Sequence, residues 1–212
     1  MLQLDEISWK VSELGKTAVL LEPQVEENHL KYIQKLYSFI ESDAHASILD
    51  VVPAYQSIAI FYLKSKNEVL NYLENINSIS LVSEDTHLYN VEVDYEQGLD
   101  WGRVSDYTGF SKSEIIERHS SVEYTVAMIG FVPGFLFLEG LDPALSVSRL
   151  DIPRTKIPAG SIGIGGNQTG LYSIESPGGW NIIGNSRFNF FDIKKDPPIS
   201  ISPGDKIKFI PL

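Results

Sequence analysis

Residues Met128 to Gly184 read MIGFVPGFLFLEGLDPALSVSRLDIPRTKIPAGSIGIGGNQTGLYSIESPGGWNIIG. Glycine and proline recur every few residues, yet large apolar side chains stand between them. A flexible linker would be polar and poor in aromatics. The combination predicts ordered loops and short strands around a site. Ser161–Ile164, Thr169–Ile174 and Asn181–Ile183 are candidate strands within it, and Phe188–Asp192 and Lys206–Ile210 continue the pattern downstream. Tyr124–Ile129, just upstream, reads as a buried strand. Many short, turn-bounded segments rich in Ile, Val and aromatics imply a closed barrel or a sandwich.

Further upstream the pattern changes. Lys16–Glu22 is a short apolar run that ends at Pro23 and reads as a strand. Leu30, Ile33, Leu36, Tyr37 and Ile40 recur at helical spacing across Glu26–Ile40. Ser47–Val52 and Ser57–Leu63 are two strands joined by a short link, and a second helix covers about Asn67–Asn75. Strand, helix, strand, strand, helix, with one further strand, is the ferredoxin-like split βαβ arrangement. That fold hosts many functions and implies none. The polar, poorly patterned segment Asn77–Thr86 marks the domain boundary, which gives an α+β module over 1–84 and an all-β-rich domain over 85–212. Tyr89–Tyr95 alternates as a strand with one solvated face, and Trp101–Tyr107 forms a short helix. Ser111-Lys-Ser-Glu114 matches a capping box and opens a helix that runs to about His119.

The chain of 212 residues carries a net charge of -11, and clustered Lys/Arg is what nucleic acid and anionic lipid require. No nucleic-acid or membrane partner is expected. Cysteine is absent, which removes disulfides, thiolate catalysis and Cys-ligated metals. No apolar run approaches the roughly 18–20 residues of a membrane span, and the acidic N-terminus is not a signal peptide, so the expected location is cytoplasmic. His29, His45 and His87 share no metal-ligand spacing, and no metal site is expected.

Gly163-Ile-Gly-Gly-Asn-Gln-Thr-Gly170 superficially looks like a nucleotide loop. Phosphate binding needs a helix after the glycines, and a strand-like Leu-Tyr-Ser-Ile follows instead, with no Lys-[ST]. A hairpin turn is the better account. The Ser176-Pro-Gly-Gly-Trp180 loop lets backbone approach a ligand, and the Gly178 and Gly179 amides are able to face a carboxylate or oxyanion; a structural turn anchored by Trp180 explains it equally. Arg149 and Arg154, between prolines, are candidate anchors for an acidic small molecule, or else surface or ion-pair residues. Gln168 and Tyr172 are candidates for neutral hydrogen bonds. His119 is either a general base or a dipole-favoured helix end.

Taken together, Met128-Ile-Gly-Phe-Val-Pro-Gly-Phe135, Gly140-Leu-Asp-Pro143, Pro153-Arg-Thr-Lys-Ile-Pro-Ala-Gly-Ser161, Gln168-Thr-Gly-Leu-Tyr172 and Ser176-Pro-Gly-Gly-Trp-Asn-Ile-Ile-Gly184 resemble one family. It is that of the 5-oxoprolinase B subunits (PxpB), also labelled allophanate hydrolase subunit 1 or KipI-like sporulation-kinase inhibitor. Val52-Pro-Ala-Tyr55, Arg118-His-Ser120 and the ending Pro203-Gly-Asp-Lys-Ile-Lys-Phe-Ile-Pro211 match too, so the resemblance spans essentially the whole chain. Phe135-Leu-Phe-Leu-Glu-Gly140 departs from the more usual Phe-Pro-Tyr-Leu-Gly-Gly, a change that bears on pocket shape. The family's usual Pro and Cys near a Tyr-Gly-Gly are also missing at Val91–Glu96.

The resemblance implies a cyclophilin-like β-barrel for the C-terminal domain and a small α+β module before it. It implies the A and C subunits of 5-oxoprolinase as partners, with the C subunit paired as in the carboxyltransferase-like region of urea amidolyase. The complex would open 5-oxoproline to glutamate at the expense of ATP, with no cofactor held by this chain. It also implies two other roles, inhibition of a histidine kinase and, more weakly, urea carboxylation. The matching motifs cluster a barrel site of His119, Phe135, Arg149, Arg154, Gln168, Tyr172, Ser176, Pro177, Gly178, Gly179 and Trp180. In it Arg149 or Arg154 would hold the substrate carboxylate, Gly178 and Gly179 would polarise a carbonyl, and His119 would be the acid/base group.

Overall fold

The computed structural model describes residues 1–4, 7–76 and 86–212. The chain is a mixed α+β protein that divides into two compact units, Met1–Asp85 and Thr86–Leu212. Nearly all of the Asn77–Thr86 segment expected to hold the boundary lies outside the described residues.

In the first unit β1 (Leu2–Leu4), β2 (Ile7–Leu14), β3 (Ala18–Pro23), β4 (Ile48–Pro53) and β5 (Ile58–Tyr62) form an antiparallel-paired sheet in the order β1-β2-β3-β5-β4. Helices α1 (His29–Asp43) and α2 (Lys66–Glu74) bury one stripe each: Leu30, Ile33, Leu36 and Ile40, and Val69 and Leu73. These meet the alternate strand residues Val19, Leu21, Ile58 and Ile60 in one core. In the sheet β5 lies between β3 and β4. The position on the far side of β3 is filled by β2 from the N-terminus. That hairpin escapes the sequence reading although Ile7, Trp9 and Val11 alternate with polar residues; Trp9 is buried.

In the second unit seven strands form one sheet: β6 (Leu88–Val93), β7 (Glu123–Ile129), β8 (Leu136–Glu139), β10 (Ser161–Gly165), β11 (Gln168–Leu171), β13 (Asn181–Asn185) and β14 (Lys206–Pro211). A separate ribbon pairs β9 (Arg154–Ile157) with β12 (Ser176–Gly178). The sheet order is β13-β10-β11-β8-β7-β14-β6, and only the β14–β6 pair is parallel. Past the end of β6, Asp94 exchanges two backbone hydrogen bonds with Asn185 at the end of β13, at 2.8 and 3.1 Å. The two outer strands are thereby tied to each other, and the sheet curls back on itself around Val91, Val126, Leu138, Ile162, Leu171 and Phe209.

Helices α3 (Trp101–Thr108) and α4 (Lys112–Ser121) follow the expectation. The Ser111–Glu114 capping box is complete: the Glu114 amide donates to the Ser111 hydroxyl and the Ser111 amide to the Glu114 carboxylate. Two strand expectations need correction. The strand expected over Thr169–Ile174 ends at Leu171, with two further backbone bonds at Tyr172 to Ser161 and Gly160, and Phe188–Asp192 makes only an isolated bridge between Phe191 and Ile199. The segment facing the latter contains Pro197 and Pro198, which have no N–H to donate to a ladder.

Candidate functional site

The glycines of Gly163–Gly170 seat the aromatic rings that line the site. β10 and β11 are joined by the two-residue turn Gly166-Asn167, with Gly166 at φ +66, so the segment is a hairpin as expected. A Cβ at Gly165 would stand 2.7 Å from the Trp180 ring, and one at Gly170 would stand 2.8–2.9 Å from Phe135 and Trp180. The bare backbone at these positions is the space the indole occupies. Phe135 is the hub above it. Its ring lies edge-on to Phe137 (4.6 Å), Tyr172 (4.7 Å), Trp180 (5.4 Å) and Phe131 (5.7 Å). Such perpendicular pairs set the positive ring edge against the negative ring face.

These rings wall a cavity of about 300 Å³, completed by Arg149, Leu150, Pro153, Pro177, Gly178 and Gly179. Arg149 lies over the Trp180 face, its guanidinium carbon 5.6 Å from the ring centre. No hydrogen bond or ion pair of that guanidinium is formed with the described residues. Arg154 has a different place. It forks onto Asp100 through two bonds, Nη1 to Oδ2 at 3.0 Å and Nη2 to Oδ1 at 2.6 Å. The Asp100 side chain is 7% exposed, and its Oδ2 also accepts the Ile182 amide at 2.7 Å. Of the two candidate anchors, Arg154 is therefore spent on an internal ion pair and Arg149 faces the cavity.

A second set of contacts fixes the segment that carries Arg149. Arg103 donates to the Asn181 side-chain carbonyl oxygen at 3.0 Å and to the Ser148 hydroxyl at 3.1 Å. The Asn181 amide nitrogen donates to the Ser148 and Ile164 carbonyls, each at 3.0 Å. The Leu150 amide bonds the Gly179 carbonyl at 2.7 Å, and Val147 and Gly166 exchange backbone bonds. Residues 147–150 are thus pinned to β13 and to both glycine turns.

Tyr172 is 1% exposed, and burial pushes its hydroxyl up to about 12, against the opposing pull of Arg149 and of the Trp180 backbone. At neutral pH it keeps its proton, so the hydroxyl is able to donate a hydrogen bond. A side chain on Gly178 would collide with the Tyr172 hydroxyl, so glycine there lets the phenol reach the loop backbone.

Besides Arg154, three expected residues stand elsewhere. His119 is fully buried and stacks on Phe209 at 4.8 Å. The Thr169 hydroxyl donates to the Gly163 carbonyl at 3.1 Å, so it accepts from His119 Nε2–H at 2.9 Å; Nδ1 then accepts from the Tyr95 hydroxyl at 2.8 Å. Burial pulls its pKa down to about 3. The geometry makes His119 a neutral internal strut rather than an acid/base group at the cavity. Gln168 sits at the start of β11, outside the cavity lining. Ser176 pairs with Ile157, and its buried hydroxyl has no hydrogen-bond partner among the described residues. Sequence reasoning missed Phe131, Phe137, Leu150 and Pro153 in the lining and Asp100, Arg103 and Asn181 behind it. Phe135 and Phe137 stand two apart at the start of a strand, and that spacing alone places them on one face.

Residues 9–201 match the family model described as Carboxyltransferase domain, subdomain C and D. The chain is 34% identical to the 5-oxoprolinase B subunit of Escherichia coli O157:H7, over 93% of this chain and 94% of that one. It is 31% identical to the 5-oxoprolinase B subunit of Bacillus subtilis (strain 168), over 96% and 93%. Its fold superposes on Kluyveromyces lactis urea carboxylase with a TM-score of 0.75 at 18% identity, over 96% of this chain but only 22% of that longer one.

Proposed function

The chain belongs to the family of the carboxyltransferase domain, subdomain C and D, and on that premise we propose that it is the B subunit of an ATP-dependent 5-oxoprolinase. It works with the A and C subunits to add water across the lactam amide of 5-oxoproline, giving glutamate while ATP becomes ADP and phosphate. ATP is bound by a partner, and the complex is cytoplasmic. We read the curled sheet as a cyclophilin-like barrel and the first unit as a ferredoxin-like module whose fourth position is taken by β2.

One observation carries the assignment of the site: a guanidinium without a partner among the described residues, set in an aromatic cavity of about 300 Å³. That is the chemistry of a small cyclic carboxylate. Arg149 takes the carboxylate, Phe135, Phe137 and Trp180 take the ring, and Tyr172, Gly178 and Gly179, which line the same cavity, are the candidates to donate to a ring carbonyl. The test is reconstitution with the A and C subunits and measurement of ATP-dependent glutamate release, each component omitted in turn. Activity is expected only with all three; full turnover without this chain refutes the assignment. Arg149→Met should lower kcat/KM by about 10- to 100-fold, the value of a charge-assisted hydrogen bond, and an unchanged value removes Arg149 as the anchor.

A further inference from the structure

Phe131 has a backbone φ of +69, in the region that bulky side chains avoid. The Val132 amide bonds the Gly130 carbonyl across it at 2.8 Å, which makes Gly130-Phe131-Val132 a γ-turn of the strained hand. The turn is locked from its far side. Gly130 N–H donates to the Phe135 carbonyl, and Phe135 N–H to the Val132 carbonyl, both at 3.1 Å. Glycine would hold this backbone freely, and the chain places glycine at both 130 and 134. At 131 it keeps a phenylalanine. The ring is 62% exposed, lines the cavity, and meets Phe135 edge-on at 5.7 Å, whereas Phe135 itself is 1% exposed. Strain is retained where the surrounding structure over-determines it, and it concentrates at ligand contacts.

We propose that Phe131 is a specificity-determining residue: its ring forms the outer wall of the cavity and covers a flat, ring-shaped carboxylate whose acid group is held by Arg149. This rests on the cavity being the substrate site. Phe131 selects planar five-membered rings over open-chain acids of the same charge, because a flat ring offers a face to its own and a chain does not.

The test titrates the full chain with pyrrole-2-carboxylate and with N-acetylglycine, by calorimetry. Wild-type protein should prefer the ring acid by about three- to tenfold. Phe131→Ala and Phe131→Gly should reduce that preference to within about twofold, and Phe131→Tyr should keep it. Phe131→Gly should melt higher than Phe131→Ala, since glycine relieves the turn. A wild-type protein that does not discriminate, or a Phe131→Ala variant that discriminates as well as wild type, overturns the proposal. The substrate assignment fails separately. If the Phe131-dependent preference holds while the reconstituted complex leaves 5-oxoproline intact, the specificity wall stands and the named substrate falls.

Discussion

A single methyl group at Gly165 probes the whole construction of the site. The added Cβ would stand 2.7 Å from Cδ2 and Cε2 of Trp180 and 2.8 Å from Cγ. Carbon atoms in ordinary contact are about 3.5–4.0 Å apart, so the indole has to move by about 1 Å. It has little room to do so without loss. Phe135 and Phe137 stand edge-on against it, and Arg149 lies over its face. Gly165 is buried in β10, and its φ is not in the left-handed region, so the cost is steric alone. Overpacking of this kind destabilises by about 1–3 kcal/mol, which lowers the melting temperature of the second unit by about 2–12 °C at roughly 2–4 °C per kcal/mol. Binding of pyrrole-2-carboxylate should weaken in parallel, because the displaced ring enters the cavity. Differential scanning calorimetry and the binding titration read both effects. Trp180→Ala in the same chain removes Cγ, Cδ2 and Cε2, the atoms that clash, so the double variant should lose less stability than the two single losses added together. Additivity within about 0.5 kcal/mol, or a Gly165→Ala protein that melts with wild type, would refute the claim that the glycines exist to seat the indole.

Two further outcomes follow from buried charge chemistry. His119 is held near a pKa of 3 by burial, against about 6.5 when unfolded, so the unfolded chain binds more protons between those values. Its contribution is fully present above pH 6.5 and is lost as pH falls toward 3, with a ceiling of about 5 kcal/mol. Urea unfolding between pH 7 and pH 4 should show a steeper loss for wild type than for His119→Leu, and equal slopes would remove His119 as the source. Asp100→Ala leaves the Arg154 fork and the Ile182 amide without their acceptor. Breaking a buried pair by removing one partner costs about 3–5 kcal/mol; with Arg154 30% exposed, about 2–3 kcal/mol is expected. Arg154→Met added to Asp100→Ala should recover part of that loss in chemical denaturation, and no recovery would count against the pairing.

What the sequence discloses is local. The missing helix after Gly170 rules out a phosphate loop, and the hairpin at Gly166-Asn167 agrees. The capping box sets the start of α4, and helical spacing locates α1 and α2 to within a few residues. What it hides is pairing across distance. Nothing in the pattern around Arg149 and Arg154 says which one is free, because the answer lies at Asp100, 54 positions from Arg154. The role of His119 turns on Tyr95 and Thr169, 24 and 50 positions away. The curling of the sheet depends on two backbone bonds between Asp94 and Asn185, which no side-chain pattern encodes. The N-terminal hairpin was legible in the alternation at Ile7, Trp9 and Val11, and a window centred there finds it.

The cavity's own chemistry divides the labour under the proposed function. Opening a lactam requires a positioned acid or base within about 2.6–3.2 Å of the proton it moves. The lining holds one fixed cation, Arg149, and one phenol, Tyr172, whose pKa near 12 makes it a donor and a poor base at neutral pH. His119, the imidazole closest in sequence to the motifs, is turned inward and bonded on both nitrogens. Under the proposed function the chain would bind, orient and polarise, and its cavity lining holds no group suited to carry the proton at neutral pH. Residues that bind substrate and transition state alike change KM and leave kcat nearly untouched, whereas a transition-state contact lowers kcat. The loss in Arg149→Met should therefore appear mainly in KM. A loss carried mainly by kcat would mean that Arg149 stabilises developing charge and that more of the chemistry resides in this chain than its lining indicates.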